Sequence, residues 1–179
     1  MKVKTKLTAE EFFKLYPEEG RVELINGEVY EMPAPTPKHQ DILLRVFIPM
    51  RGFVDTNSLG LILVAPVDVV FDEENVLQPD IVYVSDLSKV KDKIYGAPDL
   101  VVEVVSPSTL KRDLTDKMKL YERHGVKEYW LVFPLEKTIM VYELTEKCYE
   151  LLSFATEKGK VSSKVLEGFE LDVEGIFNL

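Results

Sequence analysis

The stretch PDLVVEVVSPST, residues 98–109, sets a glutamate inside a run of valines. Val101, Val102, Val104 and Val105 read as a strand buried on both faces. There an unpaired carboxylate costs several kcal/mol, so Glu103 needs a partner. A second acid, Asp80, opens another strand, QPDIVYV, directly behind Pro79. Side chains alternate along a strand, so Asp99, Val101, Glu103 and Val105 share one face and Leu100, Val102 and Val104 the other. If the two strands are neighbours, Asp80 and Glu103 converge within metal-ligand reach. Two hard oxygen donors, with room for waters and a phosphate, suit Mg²⁺. The plainer accounts are turn chemistry for Asp80 and a structural ion pair for Glu103.

A third group comes from the helical segment Leu110–His124. At about 100° per residue, Leu110, Leu114, Met118 and Tyr121 fall on one stripe, which is expected to pack on the sheet. Lys117 falls at the edge of that stripe, aimed at the sheet, where carboxylates would partner its ammonium. The alternative is snorkelling, with the stem packed and the charge in water.

The elements that must position these groups are legible in outline. Thr8-Ala9-Glu10-Glu11 forms a capping box that opens a helix running to about Tyr16. RVELINGEVYEM reads as a hairpin about Asn26-Gly27. A helix is expected from Lys38 to about Phe47, ended by Pro49. Two strands follow, Leu61–Phe71 and Pro79–Val84, then a polar stretch from Ser85 to Ala97. Strand 98–105, a helix from about Thr109 to His124 closed by Gly125, and strand Glu128–Phe133 make a crossover unit. Thr138–Leu144 returns, and one or two further strands complete the tail. The expected architecture is one α/β domain spanning 1–179, with a mixed β-sheet flanked by helices and additional β-hairpins.

Length and composition narrow the function classes. The chain has 179 residues, enough to bury about two-thirds of its unfolded surface without staples. Its single cysteine, Cys148, excludes an internal disulfide and a thiolate metal cluster, which fits a cytoplasmic location. The N-terminus lacks the apolar stretch of a secretory signal. LGLILVAPVDVVF, the longest apolar segment, is too short to span a bilayer, so no membrane partner is expected. The net charge of −9 is awkward for a nucleic-acid binder, whose affinity comes from Lys and Arg on phosphates. Positive charge must then come locally, as in the basic segment 111–127, or from bound metal.

Together these residues resemble the PD-(D/E)xK nuclease superfamily, and within it the Uma-type family of restriction-like endonucleases. The matching blocks are VELINGEVYEM, His39-Gln40, QPDIVYVS, GAPDLVVEVVSPST, the four-residue steps Asp113, Lys117 and Tyr121, and GVKEYWLVFP. They run in family order from residue 8 to about 178. The resemblance implies a restriction-endonuclease-like core and Mg²⁺-dependent hydrolysis of DNA phosphodiesters, with Mn²⁺ as a substitute. It implies Asp80 and Glu103 as metal ligands, and Lys117 as the group that stabilises or orients the attacking oxygen. The superfamily lysine normally stands two residues after the acid, where this chain has Val105. Lys117 on the following helix supplies the ammonium instead; its competitor, Lys111, points about 100° off Leu110, at the outer side of the stripe. Glu23 matches an upstream acid that assists the metal, or else is a solvated hairpin carboxylate paired with Arg21. His39 matches too, and is otherwise a cap or packing residue. Asp113 and Tyr121 flank Lys117 and would orient it or contact phosphate, or are an ion pair and a core aromatic.

Three functions compete. The first is an endodeoxyribonuclease, for which a homodimer would suit cutting both strands. The second is a catalytically inactive nuclease-fold module that binds nucleic acid or protein, motivated by Val105 and the acidic balance. The third is a purely dimerising surface formed by the C-terminal hairpins.

Overall fold

The computed structural model describes residues 6–17 and 20–178. Residues 1–5, part of the segment expected to lack a secretory signal, lie outside them. The capping box at Thr8 and Glu11 opens α1 (Ala9–Leu15). The hairpin follows as β1 (Val22–Ile25) and β2 (Glu28–Glu31). Asn26 and Gly27 take φ of 52° and 77°, the left-handed pair that a tight two-residue turn between twisted strands requires.

Next comes α2 (Pro37–Thr56), which corrects the expected end at Pro49. That proline lies inside the helix. It removes one backbone donor, a local loss on the order of 3 kcal/mol. The apolar stripe nevertheless continues past it, with Met50 and Val54 fully buried beside Ile42, Leu43 and Val46. Burying those two further side chains is worth roughly 3–6 kcal/mol, enough to outweigh the break.

The run 61–71, expected as one strand, is two. β3 (Leu61–Val64) and β4 (Val69–Asp72) belong to different sheets. Then come β5 (Asn75–Leu77) and β6 (Ile81–Val84). The polar stretch 85–97 holds a short 3₁₀ turn and one further strand, β7 (Ile94–Tyr95). β8 (Leu100–Val104) carries Glu103.

The crossover helix is interrupted. α3 (Leu110–Arg112) passes into a π turn, Asp113–Lys117, and then into α4 (Met118–His124). Gly125 closes it at φ 80°. The chain continues through β9 (Glu128–Phe133), β10 (Thr138–Leu144), β11 (Tyr149–Thr156), β12 (Lys160–Ser162) and β13 (Glu170–Asp172).

The main sheet has the order β11-β10-β9-β8-β6-β3, and only β8 and β9 run parallel. A second sheet, β2-β1-β5-β4-β7, carries the N-terminal hairpin. β8 is central, with an antiparallel neighbour on one side and a parallel one on the other. Its side chains divide as alternation requires. Leu100, Val102 and Val104 pack in the core shared with α2, while Val101 and the following Val105 pack with Leu120 and Tyr121 of α4. The four buried apolar side chains of β8 contribute roughly 6–12 kcal/mol. That supports one partnered carboxylate among them, and Glu103 faces the α4 side. Among the described residues no helix is long and apolar enough to cross a membrane.

Candidate active site

Asp80 and Glu103 come together because β6 and β8 are neighbours. The register pairs Ile81 with Val102, so Asp80, one residue before β6, stands beside Glu103. The Val104 N–H donates to Asp80 Oδ2 at 2.8 Å, and His39 Nε2 lies 3.3 Å from Asp80 Oδ1. His39 reaches it from the first turn of α2, where its N–H is capped by Thr36. Asp80, Glu103 and His39 line one cavity of about 230 Å³.

Lys117 sits behind Glu103. Its ammonium donates to Glu103 Oε1 at 2.9 Å and to Glu23 Oε1 at 2.8 Å, with Asp113 Oδ1 4.0 Å away. The side chain is fully buried. Glu23 therefore is not the solvated partner of Arg21; it is wholly buried and also accepts the Gln78 N–H at 3.1 Å. It arrives from β1 of the second sheet, so the cluster lies where the two sheets meet. Tyr121, buried on α4, donates its hydroxyl to Glu103 Oε1 at 2.8 Å.

The helical stripe read from the sequence is corrected here. Leu110 and Leu114 are about two-fifths exposed, while Asp113, Lys117, Leu120 and Tyr121 form the buried face. A π turn adds a residue to the helical repeat and shifts the phase of everything around it. Lys117 accordingly points to the centre of the sheet, not to the edge of a leucine stripe. The snorkelling account fails, because the charge ends inside the protein.

The electrostatics are unbalanced. One ammonium faces Glu23, Glu103 and Asp113, with Asp80 nearby. Burial would drive the proton off Lys117, but Glu103, Glu23 and Asp113 outweigh it and hold its pKa above the ordinary lysine range. Burial pushes the Glu103 carboxyl well above the usual carboxylate range, against the pull of Lys117 and with the help of Asp113, Asp80 and Glu23. Burial likewise raises Asp113 to about 6. Glu23 Oε2 and Asp113 Oδ1 are buried with no hydrogen-bond partner among the described residues.

The Asp113 shift has a defined sign. A carboxyl whose folded pKa of about 6 lies above its ordinary 3.8 binds its proton more tightly when folded. Its ionisation therefore costs stability as pH rises through that window and leaves a constant deficit above it. Asp113→Asn is expected to raise stability at pH 7.5 by up to about 3 kcal/mol, and to leave it unchanged near pH 4. Thermal unfolding of both proteins across pH 4–8 checks this; parallel curves would contradict it.

The geometry also bears on whether a metal fits. A neighbouring buried glutamate, Glu128 on β9, provides the contrast. Its Oε1 accepts from Trp130 Nε1 at 2.6 Å and Ser163 Oγ at 2.7 Å. Its Oε2 accepts the N–H groups of Lys164 and Val165 at 2.8 and 3.1 Å. Both oxygens are satisfied, as a structural carboxylate requires. The Glu103 hydrogen bonds among the described residues both fall on Oε1. Its remaining oxygen, the adjacent Asp80 and the local excess of negative charge suit a hard divalent cation. Among the described residues no group of three His, Cys, Asp or Glu side chains has metal-binding spacing. Mg²⁺ commonly takes one or two carboxylates and keeps its waters, so the pair alone fits it.

The structure thus brings together Asp80, Glu103, Lys117, Glu23, His39, Asp113 and Tyr121, but it does not put Lys117 on the cavity wall. Sequence reasoning missed Gln78, whose N–H holds Glu23, and the hydroxyls of Ser106, Ser108 and Thr109 on that wall. The hydroxyls stand in the quoted SPST block, so their signal was present.

The family model described as "Uma2: Putative restriction endonuclease" matches residues 9–174. Among solved structures, the fold is similar to the crystal structure of a "putative nuclease belonging to DUF820" from Anabaena variabilis ATCC 29413. The TM-score is 0.79 and the identity 22%, over 96% of this chain and 97% of that one. No curated protein matches the chain. With that match covering nearly its whole length, the chain belongs to the Uma2 family.

Proposed function

We propose that the protein is a Mg²⁺-dependent endonuclease that hydrolyses DNA phosphodiesters, on the PD-(D/E)xK plan with its lysine moved to the crossover helix. The observation that carries this reading is the pair Asp80 and Glu103, on adjacent strands and facing one cavity, with Glu103 hydrogen-bonded through a single oxygen. The family's description and that of the Anabaena protein point the same way.

Asp80 and Glu103 would hold the metal, which when bound supplies Lewis acidity toward a phosphodiester oxygen and helps activate water. The chain's own residues preorganise that pair. The Val104 N–H and His39 fix Asp80, and Lys117 with Tyr121 fixes Glu103. Lys117 in this arrangement is a positioning residue that keeps Glu103 oriented, in place of the direct contact with the attacking oxygen that the sequence suggested. Mn²⁺ would substitute, and a homodimer would allow both strands to be cut.

The test is cleavage of supercoiled plasmid with Mg²⁺ or Mn²⁺. Wild type should nick and linearise it, and Asp80→Ala should lose on the order of 10³-fold in rate. Equal activity in the two proteins would reject the assignment. The withdrawal of Lys117 from the cavity favours one second reading, a nuclease-fold module that binds nucleic acid without cutting it. That reading predicts DNA binding by wild type with no cleavage in either metal.

A further inference from the structure

The cavity lining beyond the carboxylates is chemically different. Ser106, Ser108 and Thr109, just beyond β8, line the same cavity as Asp80 and Glu103. Ser106 Oγ lies 2.9 Å from Ser108 Oγ and 3.1 Å from Thr109 Oγ1, so three hydroxyls converge within one hydrogen-bonding patch. Thr109 Oγ1 also donates to the Ser106 carbonyl at 3.4 Å, a long bond that it can exchange for a ligand oxygen, and a serine hydroxyl not donating within the patch can turn its proton outward. Arg21 lines the cavity as well and has no ion pair among the described residues. Apart from Pro107, the segment Ser106–Thr109 is all hydroxyl, directly after an apolar strand. Its fold explains only part of that. The Ser106 N–H donates to Thr109 Oγ1 and Thr109 Oγ1 donates to the Ser106 carbonyl, turn contacts, whereas Ser108 is exposed and among the described residues its hydroxyl meets Ser106 alone.

We propose that Ser106, Ser108, Thr109 and Arg21 form a phosphate subsite that seats the substrate's phosphodiester against the Asp80–Glu103 pair. This rests on the nuclease reading above and deepens it. Two carboxylates alone would repel a phosphate. Neutral donors and one guanidinium lining the same cavity offset that repulsion and orient the group, with Arg21 able to grip two oxygens at once. The hydroxyls carry no charge, so they bind phosphate without competing for the metal. A footprint of a single phosphate with one arginine also accords with an acidic protein, since it demands little counterion release.

Two measurements separate this claim from the nuclease reading. In cleavage assays, Ser108→Ala and Thr109→Val should each raise KM for DNA about tenfold, and Arg21→Ala ten- to a hundredfold, with kcat changed less than threefold. Mg²⁺ affinity, measured by calorimetry without DNA, should not change. Separately, ³¹P line broadening should detect inorganic phosphate binding to the Asp80→Asn/Glu103→Gln protein without metal, and adding Ser108→Ala or Arg21→Ala should abolish it. If wild type cleaves DNA and all three variants match its KM, the subsite is wrong while the nuclease reading stands. If wild type does not cleave, that reading fails and the phosphate measurement alone decides. Binding lost on Ser108→Ala or Arg21→Ala then upholds the subsite, and absent or insensitive binding overturns it.

Discussion

Lys117→Met should destabilise the protein by about 3–5 kcal/mol, the range expected when one partner of a buried ion pair is removed. The side chain it replaces is fully buried and bridges Glu23 of one sheet and Glu103 of the other. Methionine fills a similar volume, so the loss is electrostatic and not a matter of packing. Glu23, Glu103 and Asp113 would then share a buried cluster with no cation among the described residues, and the carboxyls would take up protons. Two signatures should follow in urea unfolding. The midpoint falls sharply at pH 8, and part of the loss is recovered at pH 5, where carboxyls are more easily protonated. A loss of less than 1 kcal/mol at pH 8 would mean that the ammonium is not the cluster's sole counter-charge.

Glu103→Gln should separate stability from function. Glutamine keeps an oxygen to accept from Lys117 and Tyr121, and removes the charge that burial disfavours. Because burial raises the Glu103 pKa, the folded protein holds that proton more tightly than the unfolded chain does, and glutamine imitates the protonated group. Ionising Glu103 therefore costs stability as pH rises above its ordinary range, and the variant's metal-free stability at pH 7.5 should equal or exceed that of wild type. Cleavage should fall by on the order of 10³-fold, and divalent-metal binding should disappear. Such opposed effects mark a residue retained for chemistry at the expense of stability. The contrary pattern, a destabilised variant that still cleaves, would make Glu103 a structural residue like Glu128.

Much of this arrangement is local and was therefore readable. The capping box at Thr8, the Asn26-Gly27 hairpin, β8 and the EYWLVF strand each follow from a few neighbouring residues. That β6 and β8 are neighbours, on which the site depends, is only a condition in the sequence; their antiparallel direction is not legible there. What was not legible is non-local or depends on phase. The sequence aims Lys117 at the sheet, as observed, but from a displaced stripe, because a π turn is invisible to a fixed 100° rotation. Leu110 and Leu114 consequently face outward. Pro49 did not end its helix because Met50 and Val54, beyond it, are buried in the core shared with the main sheet. Residues 61–71 looked like one strand because apolar content says nothing about a change of sheet. The burial of Glu23 depends on Lys117, 94 positions away, and no short window contains both.

The proposed nuclease function requires a divalent ion held between Asp80 and Glu103. Crystals soaked in Mn²⁺ and measured at its absorption edge test this most directly. An anomalous peak within coordination distance of both carboxylates in wild type, gone in Glu103→Gln, is the predicted result. No peak there at millimolar Mn²⁺ in crystals of a protein that cleaves DNA would contradict it.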